Sequence, residues 1–286
     1  MWNMPAVPTK PPKPAPMRHP DFNIGFTTDS GWEDDARRMA SAAMHCPKRP
    51  WVRIVFDADI PAKEYRPGLE MIAREADVIG EPVDSYNFQH LTEAEYLERF
   101  REYVGELGDK VFLWEAGNEI NGEWLADYRN DPDAGKKVSQ TVVKTQEFIQ
   151  GQGGKALVTY YLNPGCFKHG GNFVFTWMRS HPMPPPWLAG LSYYDDDCSG
   201  DLGLDRWQQC VESLAAQSKS DRVAITECGT AKRSQKMEFL SRYGGILKGV
   251  SHPKWCGGGM WWYGRQDFGA PAYNTTFAAF KKWFNG

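Results

Sequence analysis

Eight short apolar or β-branched runs recur along this 286-residue sequence, and each closes in polar or glycine residues. They are 22–29 (FNIGFTTD), 51–57 (WVRIVFD), a weaker 76–84 (ADVIGEPVD), 111–119 (VFLWEAGNE), 156–163 (ALVTYYLN), 188–197 (LAGLSYYDDD), 222–229 (RVAITECG) and 257–264 (GGGMWWYG). Helix-like stretches lie between them at 32–45, 92–107, 135–153, 204–218 and 234–250. The second of these opens with Thr92 and spaces Tyr96, Phe100 and Val104 at helical intervals, while the third closes in glycines. Alternation of this kind demands parallel strands joined by crossover helices. Eight units in roughly 265 residues match a (β/α)8 barrel, which typically needs about 250. A doubly wound open sheet would carry a phosphate-binding glycine loop after its first strand; the stretch there, GFTTDSGW, has none. The expected fold is a single α/β barrel over 21–286.

Residues 1–20 hold seven of the chain's twenty prolines and read as an extended linker outside the barrel. The segment has no apolar signal core, and a linker at the start suggests that an upstream signal or anchor has been removed. A secreted or envelope-associated protein is therefore expected. No run approaches the ~20 apolar residues of a membrane span. The formal net charge is −3 without a basic stripe, which argues against a nucleic-acid partner. The six cysteines show no C-x-x-C spacing; if one bridge forms, Cys198–Cys210 is the nearest pair. The six histidines show no metal-binding spacing and no serine sits in a G-x-S-x-G elbow, so no metal or cofactor is expected. A monomer is expected.

In a barrel of this kind, chemistry sits at the carboxyl ends of the strands. The fourth run ends in Asn118 and Glu119, and the seventh ends in Glu227 after apolar VAIT. Strict alternation along the fourth run puts Leu113, Glu115, Gly117 and Glu119 on one face. Glu115 would then lie about 13 Å below Glu119, a buried structural carboxylate in need of a partner. Arg53, on the second run, can supply it. Two carboxyl groups facing each other across a barrel mouth suit glycoside hydrolysis, in which one acid protonates the leaving oxygen and one carboxylate acts across the sugar. The Asn118 amide can donate to the sugar 2-hydroxyl.

The segments WEAGNE (114–119), ITECG (225–229) and MWWYGRQD (260–267) resemble the retaining glycoside hydrolases of clan A, the (β/α)8 group of cellulases, mannanases and xylosidases. The resemblance implies that Glu119 is the acid/base, that Glu227 is the nucleophile and that Trp262 floors the subsite of the cleaved sugar. It also matches Arg53 to the arginine beneath the nucleophile. Tyr194 or, less well, Tyr193 corresponds to the tyrosine that donates to it. Two departures stand out: Ser192 occupies the place where many members carry histidine, and Ile120 replaces the proline that often follows the glutamate.

Most of the twelve tryptophans read as packing, Trp114 and Trp207 among them. Trp124 and Trp261, with Trp32 and Tyr263, stand near strand ends and are candidate sugar platforms. Cys228 falls on the face opposite Glu227 and reads as a buried thiol rather than a nucleophile. The implied protein is a retaining, endo-acting hydrolase of a β-linked polysaccharide. The alternative is a carbohydrate-binding or scaffolding barrel that does not cleave.

Overall fold

The computed structural model describes residues 22–29, 33–125, 131, 133–162, 171–194, 197, 203–269 and 274–285. Eight parallel strands close into a barrel in sequence order: β1 (Asn23–Thr28), β2 (Trp51–Val55), β3 (Asp77–Glu81), β4 (Val111–Gly117), β5 (Ala156–Tyr161), β6 (Leu188–Tyr193), β7 (Arg222–Cys228) and β8 (Trp255–Trp261). The helices are α1 (Glu33–Met44), α2 (Ala62–Glu75), α3 (Ser85–Phe88), α4 (Glu93–Leu107), α5 (Ala134–Gly151), α6 (Val174–Ser180), α7 (Leu204–Ser218), α8 (Lys236–Gly249), α9 (Gly264–Asp267) and α10 (Thr275–Lys281). The expected linker over 1–20 lies outside the described residues, as does Trp32. No described helix is long and apolar enough to cross a membrane.

Alternation along the strands builds two cores. Inward residues such as Trp51, Ile79, Leu113, Leu157, Leu188 and Met260 fill the lumen. Outward strand residues, including Phe26, Trp114 and Tyr193, pack against the helix layer, which contributes Trp207 of α7 and Trp283 near the end of the chain. α4 begins as its sequence predicts: the Thr92 hydroxyl accepts from Glu95 N, and the Glu95 carboxylate accepts from Thr92 N. α2 was not anticipated. Pro67 inside it removes a backbone donor, but Tyr65, Leu69 and Ile72 bury one continuous stripe, and that burial outweighs local propensity.

β8 starts at Trp255, two residues before its sequence signal. Gly257, Gly258 and Gly259 all have positive φ, and pairing slips against both neighbouring strands. A Cβ on Gly258 would stand 2.2 Å from the Ile225 carbonyl oxygen, so only glycine fits this kink. The suggested Cys198–Cys210 bridge is not made. Cys210 is a free thiol on α7, packed against the outer core, and Cys198 lies outside the described residues.

Candidate active site at the carboxyl end of the barrel

Strict alternation fails on β4, and the site depends on that failure. Pairing with β5 runs Trp114–Ala156, Glu115–Leu157 and then Gly117–Val158, so two residues of β4 oppose one of β5. The resulting bulge turns Gly117 outward rather than into the lumen. A Cβ there would sit 2.6 Å from Ile120 and 2.8 Å from Val142 of α5. Asn118 and Glu119, neighbours in sequence, then both enter the barrel mouth. Glu119 achieves this with a φ of 44°, a left-handed conformation that costs a side-chain-bearing residue about 1–2 kcal/mol.

A buried asparagine network holds the strained turn. Asn121 Nδ2 donates to the carbonyls of Tyr161 (2.9 Å) and Asn172 (2.8 Å), and its Oδ1 accepts from Tyr161 N. Asn172 Nδ2 donates back to the Asn121 carbonyl at 2.8 Å. The turn is thus tied to the end of β5 and to the chain before α6.

β7 uses the same device. Pairing with β6 slips between Leu191–Ile225 and Ser192–Glu227. Thr226 and Glu227 consequently both face inward: Thr226 Oγ1 meets Thr159 Oγ1 of β5 at 3.0 Å, while Glu227 reaches the mouth. Cys228 points into the outer core, away from Glu227.

Arg53, fully buried, organises the acids. Its Nε donates to Glu115 Oε2 at 2.6 Å and its Nη1 to Glu227 Oε2 at 2.7 Å. Nη2 lies 2.7 Å from Glu81 Oε2, but out of line for a hydrogen bond, so this contact is an ion pair only. Burial opposes the guanidinium charge, yet Glu115, Glu81 and Glu227 outweigh it and hold the pKa well above the usual value. Among the described residues no cluster suits a metal ion, and Arg53 occupies the place between the three carboxylates. The bulge interrupts the strict alternation from which Glu115 was placed about 13 Å below Glu119. Asn118 Nδ2 spans Glu115 Oε1 (3.4 Å) and Glu227 Oε2 (3.3 Å), so Glu115 lies directly beneath the mouth. Thr159 Oγ1 donates to Glu115 at 2.5 Å. Burial, before any other cause, raises the Glu115 carboxyl above the ordinary range.

Glu119 and Glu227 have different surroundings. Glu227 accepts from Arg53, from Asn118 and from Tyr194 Oη at 2.5 Å. Of the two candidate tyrosines, Tyr194 makes this contact; Tyr193 faces the helix layer, edge-on to Trp207 at 5.1 Å. Among the described residues Glu119 accepts from two hydroxyls, Ser192 Oγ at 2.5 Å and Ser85 Oγ at 3.4 Å. Its carboxyl is pushed up to about 8, first by burial and next by the negative charge of Glu227, with the Ser192 hydrogen bond and Arg53 acting against them. At neutral pH Glu119 is therefore largely protonated.

The tryptophans divide. Trp262, half-buried, stands over the Arg53 guanidinium at 5.4 Å and faces the mouth. Trp261 does not, which corrects its expected role in substrate binding. Alternation on β8 sends it outward, fully buried, where its indole N–H donates to Asp267 at 2.8 Å and its ring meets Trp283 edge-on. Trp124 lies 40% exposed after β4, its ring edge-on to Tyr161 at 5.3 Å. Tyr263 is half-buried and packs against the outer core, with Lys236 Nζ 4.8 Å from its ring. Asp197 accepts from Tyr161 Oη at 2.7 Å, whereas Asp195 and Asp196 lie outside the described residues.

Glu81 and Ser85 carry no expectation from the sequence, and neither do Thr159, Asn121 and Asn172. Glu81 ends β3 as Glu227 nearly ends β7, and that strand-end acid was the available signal. Burial raises its carboxyl well above the usual range, against the pull of Arg53. Ser85 has no local signal, because its contact with Glu119 spans 34 residues of chain. Ser192 was visible only as a departure from the clan pattern.

No known protein family matches the sequence, and no curated protein resembles it in sequence. Solved structures do share the fold. A GH5-4 broad-specificity endoglucanase from an uncultured bacterium superposes with a TM-score of 0.61 at 12% identity, over 93% of this chain and 95% of the other. A GH5 xyloglucanase from Bacteroides ovatus gives 0.62 at 13% identity, over 100% of this chain and 81% of its own. An endo-1,4-β-xylanase from Penicillium canescens gives 0.55 at 15% identity, over 91% and 94%. At these identities the likeness is one of fold, a (β/α)8 barrel.

Proposed function

We propose that this protein is a retaining glycoside hydrolase that cleaves within β-linked polysaccharides, with Glu227 as nucleophile and Glu119 as acid/base. The observation that carries the reading is the asymmetry of the two glutamates: Glu119 meets hydroxyls and is buried so that its carboxyl is pushed up to about 8, while Arg53, Asn118 and Tyr194 converge as donors on Glu227. Environments that drive two neighbouring carboxyls apart assign the acid and the base.

In the first step the Glu227 carboxylate attacks the anomeric carbon, and the bond from that carbon to the leaving oxygen breaks. Glu119 gives its proton to that oxygen. In the second step Glu119, now a carboxylate, takes a proton from water. The water oxygen displaces Glu227 from the anomeric carbon, and both glutamates return to their starting forms. Asn118, beside Glu227, is suited to hold the 2-hydroxyl, and Trp262 to carry the sugar face. The exposed ring of Trp124 away from Trp262 supports an open cleft and internal cleavage. Export and action as a monomer belong to the same proposal.

The test is a panel of β-linked polysaccharides, with reducing-end release and product anomer followed by proton NMR. Expected are mixed oligosaccharides early in digestion and a first-formed product of retained configuration. Glu227→Ala should lose turnover on every substrate. Glu119→Ala should keep activity on substrates with good leaving groups and be rescued by azide. An inverted first product refutes double displacement, monosaccharide alone from the first minutes refutes internal cleavage, and binding without cleavage returns the protein to the carbohydrate-binding class.

A further inference from the structure

Tyr86 has no role in the chemistry above and none in either core. It is the second residue of α3, directly after β3, and its side chain is 68% exposed. The backbone beneath it is firmly held. Asp84 caps α3 by accepting from Asn87 N at 2.7 Å, Ser85 N donates to Asn118 Oδ1 at 3.1 Å, and Ser85 Oγ reaches Glu119. Tyr86 is therefore anchored one residue, about 3.8 Å of Cα trace, from a serine that touches the acid. The His90 ring meets the tyrosine edge-on, with centroids 5.4 Å apart, and steadies it from one side.

Among the described residues four large apolar side chains are exposed: Met44, Tyr86, Trp124 and Met237. Met44 ends α1 and Met237 lies in the first turn of α8. Tyr86 and Trp124 instead follow consecutive strands, at the barrel end that carries Glu119. A flat ring with a polar edge, fixed and left in water, matches a ligand that offers an apolar face ringed by hydroxyls. A sugar unit does so.

The position of the acid decides which sugars these rings meet. Glu119 protonates the leaving oxygen, so the departing part of the chain lies on its side of the cleavage point. The sugar that becomes attached to Glu227 lies toward Trp262, whose ring stands over Arg53. We propose that Tyr86 and Trp124 form the platform for the leaving portion of a β-linked polysaccharide, flanking Glu119 from the β3 and β4 sides. This assignment rests on the hydrolase reading.

Tyr86→Ala and Trp124→Ala, both exposed substitutions that spare the core, test it, with Met44→Ala as a control away from the mouth. Values of kcat/KM are compared on aryl glycosides and on oligosaccharides of the same glycone extended at the reducing end. Either variant should lose about ten-fold on the extended substrates, the usual size of a lost aromatic anchor. The loss should grow with each added leaving-side unit and be smallest on the aryl glycoside. Equal losses on both series, losses that follow extension at the other end, or losses matched by Met44→Ala would overturn the platform. Calorimetric titration of the same oligosaccharides into Glu227→Gln, with and without Tyr86→Ala, separates the two ideas. If the parent protein cleaves nothing, weaker binding on adding Tyr86→Ala keeps a glycan platform at Tyr86 but sinks the hydrolase and, with it, the assignment to a leaving portion. Cleavage with unchanged affinity sinks the platform alone.

Discussion

Replacing Glu227 by glutamine removes one negative charge beside Glu119 while keeping the side chain's shape. The Glu119 carboxyl is held at about 8 chiefly by burial and secondly by Glu227. Only the second cause disappears in the variant. At the ~5.5 Å separation that retention requires, and an effective dielectric near 20, two unit charges repel by about 3 kcal/mol, equivalent to about two pH units. Arg53 Nη1, 2.7 Å from Glu227 Oε2, offsets part of that charge. The expected fall is therefore about one to two pH units, which leaves Glu119 still above an ordinary glutamate because burial persists. Carbon-13 NMR of protein labelled at the glutamate carboxyls, titrated between about pH 4 and 10 and assigned with Glu119→Gln, measures it. A Glu119 titration unmoved in Glu227→Gln would refute the coupling, and with it the pairing of the two groups across the mouth. A fall to the ordinary glutamate value would refute burial as the larger cause.

Three further outcomes follow from the same geometry. Because the folded Glu119 binds its proton up to about pH 8 while the unfolded chain releases it near 4.5, the folded state loses stability as pH rises through that window. Glu119→Gln should therefore gain in melting temperature over the parent progressively from about pH 4.5 to 8; a pH-independent difference would contradict this. Ser192→Ala removes the 2.5 Å donor that favours the charged form of Glu119, so the alkaline limb of the activity profile should move to higher pH. A lowered rate with an unmoved limb would make Ser192 a purely steric residue. Arg53→Met leaves Glu81, Glu115 and Glu227 without a counter-charge and should cost about 3–5 kcal/mol at neutral pH, and less in acid as the carboxylates take up protons. Denaturant unfolding at two pH values checks it, and a loss equal at both would refute the charge argument.

The sequence by itself determined the elements and the kind of side chain at their ends. Hydrophobic period and spacing are local, so eight strands, their order and the closed barrel were legible, and so were Glu119 and Glu227 as strand-end acids. Arg53 was legible as a partner for Glu115 because both lie inside regular strand, where side chains alternate without interruption. Tertiary structure decided what happens where strands stop being regular. The bulges of β4 and β7 arise from pairing with β5 and β6, partners distant in sequence, and they overturn simple alternation at Gly117, Thr226 and Glu227. The left-handed turn at Glu119 persists because Asn121 and Asn172, 51 residues apart, lock it. Trp261 and Trp262 are adjacent and chemically alike, and only the direction each takes from β8 makes one a core residue and the other a wall of the mouth. The protonation of Glu119 belongs to the fold, since its carboxyl is pushed up to about 8 by other elements that bury it and bring Glu227 near it.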